Sequence, residues 1–446
     1  MMRRIDLSRA CAVVIGAALL LALGAEGAFA QGAAQGAVSA GDTAFVLIAA
    51  ALVLIMTPGL AFFYGGMVRR KNVLSILIQC FMFLCVVSVQ WVLYGYSLSF
   101  GPDIHHVIGS LRWAGLHGVG AEPNADYAAT IPHSTFMIFQ AMFAIITPAL
   151  IIGSFAERIK FGSLCAFMLL WITFVYDPVA HWVWGAGGWC RNLGALDFAG
   201  GTVVHLNAGI AALVMCIMIG RRKDYLVKNL PPHNLPFTVL GTGLLWFGWF
   251  GFNAGSALAA NGLASNAFVT TNTAAAMAGL TWGIIEWIRN GAPTMLGVAS
   301  GVVAGLVAIT PACGFVSPLS AIAIGISVSV LCYTAVVFIK AKFGYDDALD
   351  VFGVHGIGGM WGAIATGLFA EKAINSGGAD GLLFGNPRQL LVQLAAVLAT
   401  LVYSGVLSIV FFKLVDRIMG MRVDEQTETE GLDVTQHRET GYTTVE

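Results

Sequence analysis

Between residues 43 and 413 the chain passes through eleven apolar stretches, each long enough to cross a bilayer as a helix. They cover residues 43–66, 73–100, 134–155, 163–183, 198–219, 235–255, 263–288, 295–312, 318–339, 351–370 and 389–413. A crossing helix needs about 20 apolar residues. Lipid supplies no partner for backbone N–H and C=O groups, so stretches of this length are satisfied internally as helices. Composition agrees, with 58% hydrophobic and only 11% charged residues. The expected fold is an all-α integral membrane protein with eleven transmembrane helices. A net charge of −1 leaves no basic surface for nucleic acid.

The N-terminus reads as a signal peptide over residues 1–30. Arg3, Arg4 and Arg9 precede an apolar run at 12–23, and Ala28-Phe29-Ala30 fits a small-x-small cleavage pattern. A retained first helix is the alternative, although that run is short for a span. A Gly/Ala-rich linker at 31–42 follows, then the membrane domain at 43–414 and a polar tail at 415–446. Of the eight cysteines, most sit inside apolar runs, where thiols behave as small hydrophobes. Cys190 and Cys313 fall near one face, and pairing between them is left open.

Basic residues set the orientation. Loops after odd-numbered spans carry Arg69-Arg70-Lys71, Arg158 and Lys160, Arg221-Arg222-Lys223 with Lys228, Arg289, and Lys340 with Lys342. Loops after even-numbered spans carry only Arg112, Arg191, Lys372 and Arg388. The rich set faces the cytoplasm, which puts the N-terminus outside and the C-terminus inside the cytoplasmic membrane. An odd number of spans allows the first five and the next five to be inverted repeats, with one extra helix. Transporters commonly use that arrangement, with substrate sites near the midplane.

Two segments share one grammar: Asp197-Phe-Ala-Gly-Gly-Thr-Val-Val-His205 and Asp347-Ala-Leu-Asp350-Val-Phe-Gly-Val-His355. In each, an Asp precedes a His by eight positions at the start of an apolar helix. Ionisable groups in a span are costly and mark pathways or proton relays by default. Each histidine lies eight residues in from opposite faces, so at 1.5 Å per residue each is ~12 Å deep. In a ~30 Å core only ~6 Å of depth separates them, close enough to touch. Neutral imidazole both donates and accepts, so a pair can line a narrow conduit. The bland alternative is two core histidines, each bonded to a neighbouring helix. Two nitrogens without further ligands fall short of a metal site. Asp347 reads as a helix cap; Asp197 reads either as a cap or as a group tuning an outer cation site. Asp350, Glu157 and Glu286 are expected to be solvated or paired locally.

Phe139 and Phe143 share a helix face, as do Phe252 and Ser256, and Trp184 stands at the outer end of the fourth span. Aromatics there usually form packing or interface belts. A small cation held by aromatic faces and a hydroxyl is the functional alternative.

With these motifs in view, the chain from about residue 40 onward resembles the ammonium transporters, the Amt/MEP/Rh group, and specifically their microbial Amt branch. The resemblance rests on Met56-Thr-Pro-Gly-Leu-Ala-Phe-Phe-Tyr-Gly-Gly66, Asp197 to His205, Gly248-Trp-Phe-Gly-Phe-Asn-Ala-Gly-Ser256 and Asp350-Val-Phe-Gly-Val-His-Gly356. It implies eleven spans in inverted repeats and a homotrimer with one pore per subunit. It further implies an outer ammonium site at Trp184, Phe143 and Ser256 supported by Asp197, a gate of Phe143 and Phe252, and pore histidines His205 and His355. No cofactor, metal or enzymatic activity is implied. The implied mechanism is capture of ammonium, loss of a proton, and passage of ammonia along the histidines.

The tail, read alone, is a polar disordered end. Glu430-Gly-Leu-Asp433, His437, Glu439 and Tyr442 resemble the family's tail, which packs beneath the trimer and contacts PII-type nitrogen regulators. Rival readings are an ammonium sensor, a neutral gas channel for ammonia or carbon dioxide, and an intramembrane metalloenzyme. Few residues follow the last span to house a signalling domain, and the missing ligands count against the metalloenzyme.

Overall fold

A computed structural model describes residues 38–228 and 230–442. The expected leader at 1–30 and most of the linker lie outside the described residues.

The chain is a bundle of long helices: α1 Ala40–Met67, α2 Arg70–Phe100, α3 His133–Phe155, α4 at 161–184, α5 Gly201–Ile219 and α6 Leu235–Gly255. They continue as α7 Gly262–Asn290, α8 Met295–Ile309, α9 Pro318–Phe343, α10 at 352–369 and α11 Pro387–Met419. Eight helices (α1–α6, α9 and α11) are long and apolar enough to cross a membrane by length and composition. Helix α8 is a shorter apolar helix, and α7 carries more threonine and asparagine.

Helix starts are capped locally, because the first N–H groups of a helix have no partner within it. Ser39 accepts from Asp42, Asn261 from Leu263 and Ala264, and Thr294 from Gly297. Packing then depends on small residues, since apolar surface alone gains little by leaving lipid. A side-chain carbon at Gly241 on α6 would strike the backbone of α1 at Phe63, and one at Gly305 on α8 would lie 2.5 Å from Ala274 O on α7. Large apolar side chains such as Ile48, Phe81, Leu280 and Leu398 are left on the bundle's outside, where lipid would meet them.

One face of the bundle gathers the charge. Glu157 is buried and accepts from Arg69 Nε at 2.7 Å, and Arg222 Nη1 lies 3.3 Å away. Arg222 reaches Asp346 through Nε (2.9 Å) and Nη2 (2.8 Å), and fully buried Arg158 donates to carbonyls of Gly220, Ala156, Ser154 and Asp346. Glu286 accepts from Thr294 and Trp282, and Asp350 pairs with Lys340. Each of these carboxylates is paired locally, and Asp350 alone keeps about a third of its side chain exposed.

The tail is ordered on this same face, unlike the free end its composition alone suggests. Asp433 caps α2 by accepting from Leu74 (3.1 Å) and Ser75 (2.8 Å). Gln436 clamps Phe161 N–H and Ile159 O, and Glu428 accepts from Arg422 and the Lys223 amide. Tyr442 contacts His233 at 2.7 Å and lies under Arg70. The polar residues that look disordered in sequence find their partners in α2, at the start of α4 and in the loops that hold Ile159, Lys223 and His233. Cys190 and Cys313 are both free, buried thiols.

The opposite face carries a small hairpin, β1 Asp103–Ile104 and β2 Ile108–Gly109, which packs against the end of α4.

Candidate functional site

The two Asp-to-His segments fold alike. Asp197 accepts from the amides of Gly200 (2.8 Å), Gly201 (2.7 Å), Thr202 (2.8 Å) and Val203 (3.1 Å), so its carboxylate is used up by the start of α5. Asp347 accepts from Val351 (3.1 Å) and Phe352 (2.8 Å) at the start of α10. Each cap opens a wide π-helical turn, Gly201–Leu206 and Phe352–Gly356, and each turn carries the histidine. Such turns interrupt a helix at functional positions more often than elsewhere.

Glycines let the two turns meet. A side-chain carbon on Gly209 would overlap Gly356, and one on Gly359 would sit 2.6 Å from Leu206 N and 3.0 Å from His205 Cβ. With neither present, His205 and His355 approach to 3.3 Å between their Nδ1 atoms, their rings 5.3 Å apart and nearly parallel. One nitrogen of that pair must donate and the other accept. Both rings are buried, and His205 Nε2 has no hydrogen-bond partner among the described residues.

The aromatics continue the line. Phe252 lies 5.9 Å from His205, Phe143 packs on Phe252 at 4.2 Å with the rings tilted by 32°, and Trp184 meets Phe143 edge-on at 5.8 Å. Phe139 backs Phe143 at 5.0 Å. Beyond the phenylalanines is a cavity of about 200 Å³ whose wall includes Trp184, Phe143, Gln140, Ser256, Phe198 and Arg191. The Ser256 hydroxyl donates to Phe252 O at 2.8 Å, which leaves its oxygen lone pairs as acceptors. Below His355 a second cavity of about 260 Å³ opens toward the charged face, walled by Tyr64, Thr294, Glu286 and Asp350 among others.

Trp184, Phe143, Phe252, His205 and His355 form one row of ring contacts, with Ser256 bonded to Phe252 O beside it; Asp197 stands apart. Asp197 is not part of the cavity wall among the described residues; it reaches the site through its backbone, whose carbonyl accepts the Trp184 indole N–H at 2.8 Å. Of its two readings, the cap is the one the hydrogen bonds describe. Three further residues were not anticipated. Trp249 stacks on His205 at 5.2 Å and donates to Thr310; its spacing three before Phe252 was the available signal. Gln140 lies between the two phenylalanines of α3, and its Oε1 is buried without a partner among the described residues. Arg191 donates to Trp184 O at 2.9 Å, a contact for which the sequence holds no signal. Among the described residues no three His, Cys, Asp or Glu side chains come together as a metal site would require.

Residues 44–442 match the Ammonium Transporter Family. The chain is 54% identical over 402 residues to an ammonium transporter of Bacillus subtilis, covering 90% of this chain and 98% of that protein. It is 48% identical over 405 residues to ammonium transporter Amt1 of Archaeoglobus fulgidus, covering 91% and 100%. Among solved structures it is similar to Saccharomyces cerevisiae Mep2, with a TM-score of 0.81 at 36% identity over 87% of this chain and 88% of that one. It is also similar to a sensor Amt protein, with a TM-score of 0.82 at 30% identity over 89% and 98%. The chain belongs to the ammonium transporter family, whose members are membrane transporters and not enzymes.

Proposed function

We propose that this chain takes up ammonium across the cytoplasmic membrane, capturing NH4+ at one face and conducting NH3 through a pore lined by two histidines. The observation that carries this reading is the unbroken order of cavity, stacked phenylalanines, paired histidines and second cavity. Ammonium binds over Trp184 and Phe143 by cation–π attraction and donates a hydrogen bond to Ser256. Asp197 supports that site by holding the start of α5 and, through its carbonyl, the indole.

Phe143 and Phe252 form a gate too apolar for a hydrated cation, so the cation gives up a proton there. Neutral ammonia then passes the rings and hydrogen-bonds along His205 and His355. The proton crosses separately over the histidine pair, which makes net transport charged. Potassium carries no proton to surrender, and this step rejects it.

The wider assembly follows the same reading. All eleven helices cross the membrane as inverted repeats plus one, with the N-terminus outside and the charged face in the cytoplasm. Residues 1–30 serve as a leader, three copies associate with one pore each, and a PII-type regulator docks on the tail face.

Solid-supported-membrane electrophysiology on purified protein in liposomes tests the mechanism. A transient current for ammonium, absent for potassium and abolished by His205→Ala, is expected. An ammonia gradient that dissipates without current would replace this mechanism with a neutral gas channel.

A further inference from the structure

Trp184 is the last residue of its helix, and the backbone beyond it, Gly185-Ala186-Gly187-Gly188, has little stiffness of its own. Helix ends fray unless something holds them. The last turn is held from behind by His181, whose ring is completely buried. Its Nδ1 faces Ser99 O at 3.0 Å and its Nε2 faces Asp103 Oδ1 at 2.9 Å. The ring thus bridges a backbone carbonyl and a carboxyl group, one at each nitrogen, and is fixed in orientation from both sides.

Asp103 is itself fixed. Its Oδ2 accepts from the His106 amide at 3.1 Å, at a hairpin turn where His105 and His106 both adopt left-handed conformations (φ 55° and 65°). Two adjacent non-glycine residues in that region persist only where the surroundings hold them. His106 Nδ1 in turn contacts Gly187 O at 2.6 Å, and Trp182 donates to Val107 O at 2.8 Å. Gly187 has φ 94°, and a side-chain carbon there would lie 2.6 Å from Asp103 Cβ. The hairpin and the glycine loop thus close around one His181–Asp103 hydrogen bond, a single helical turn from the indole.

We propose that the Asp103–His181 couple is a positioning element for Trp184: it fixes the helical turn that carries Trp184, while the Asp197 carbonyl holds the indole N–H, and it thereby sets the affinity for the captured cation. Neither residue touches the cavity among the described residues, so their effect passes through the indole. This inference rests on the proposed ammonium site.

The test is the ammonium concentration dependence of the current for Asp103→Asn, His181→Gln and Trp184→Leu, alone and combined. Each of the first two should raise the half-saturating concentration about tenfold, the size of one cation–π contact, with the maximal current kept within about twofold. In the Trp184→Leu background neither should add anything further. A full additional shift in that background, or a fall in maximal current at unchanged half-saturation, overturns the proposal.

A second arm needs no current. In protein carrying 5-fluorotryptophan, the Trp184 fluorine signal is assigned by its loss in Trp184→Phe. Asp103→Asn should move or broaden that signal and leave the Trp249 signal in place. An unmoved Trp184 signal refutes the positioning role, whereas a moved signal without any ammonium current refutes only the transport reading.

Discussion

Gly209 on α5 backs directly onto Gly356 on α10, so closely that a side-chain carbon on Gly209 would overlap the Gly356 backbone. Gly356 is also the residue after His355, and Gly209 is four residues after His205. The contact between the histidines is therefore a consequence of the side chains missing at Gly209 and, beside His205 Cβ, at Gly359. Gly209→Ala should push α5 and α10 apart, open the 3.3 Å Nδ1–Nδ1 contact and reduce ammonium current at least tenfold. Retention of full current in a correctly assembled Gly209→Ala protein would show that the pair need not touch.

Ser256 gives its proton to Phe252 O and keeps its lone pairs. Ser256→Ala removes one hydrogen-bond acceptor for the cation without altering the rings. The half-saturating ammonium concentration should rise about fivefold, the worth of one hydrogen bond, while maximal current holds. An unchanged concentration dependence would remove Ser256 from the site.

Asp197 serves four backbone amides at the start of α5. Asp197→Asn retains one oxygen but turns an NH2 group toward amides that also donate, so it is not a neutral replacement. Both Asp197→Asn and Asp197→Ala should destabilise by about 2 kcal/mol or more, the upper range for a lost cap. Thermal unfolding in detergent reads this directly. A variant with full thermal stability and weakened ammonium capture would instead make Asp197 a cation-tuning group.

Asp346, in the loop before α10, is pushed up by burial. The hydrogen bonds from Arg222 and the charge of Arg158 outweigh this, and its carboxyl is held below the ordinary range. A lowered native value means the stabilisation is present above the unfolded value of about 3.9 and is lost as pH falls through the native one. Unfolding temperatures of the wild type should therefore drop steeply below about pH 4. Asp346→Asn should be less stable at neutral pH and show a shallower acid decline. Parallel curves for the two proteins would rule out this contribution.

Asp433 ties the tail to α2 through the Leu74 and Ser75 amides. Asp433→Ala should free residues 424–442, so limited proteolysis should cut there several times faster while the bundle resists. Equal cleavage rates would assign the tail's order to Gln436 and Glu428 instead.

Much of the architecture could be read before any coordinates. Apolar run length dictates helices because lipid forbids any other way of satisfying the backbone. The depth of His205 and His355, counted in residues from each face, already brings them within contact range. Phe139 with Phe143, and Phe252 with Ser256, declare shared faces through their spacing.

The rest lies between residues far apart in the chain, where spacing is silent. A helix that is apolar all round does not announce which side packs against protein and which meets lipid. That choice is made by glycines pressed against the backbone of a crossing helix, such as Gly209 against Gly356 and Gly241 against Phe63. The stacking of Trp249 on His205, the grip of Arg191 on the Trp184 carbonyl and the burial of His181 between Ser99 and Asp103 all depend on it. So does the tail, whose polar residues look unpartnered in sequence because Asn72, Ser75 and Ile159 supply their partners from hundreds of residues away. Local chemistry sets the helices and their ends. Close approach of distant backbones sets the line of rings from Trp184 to His355.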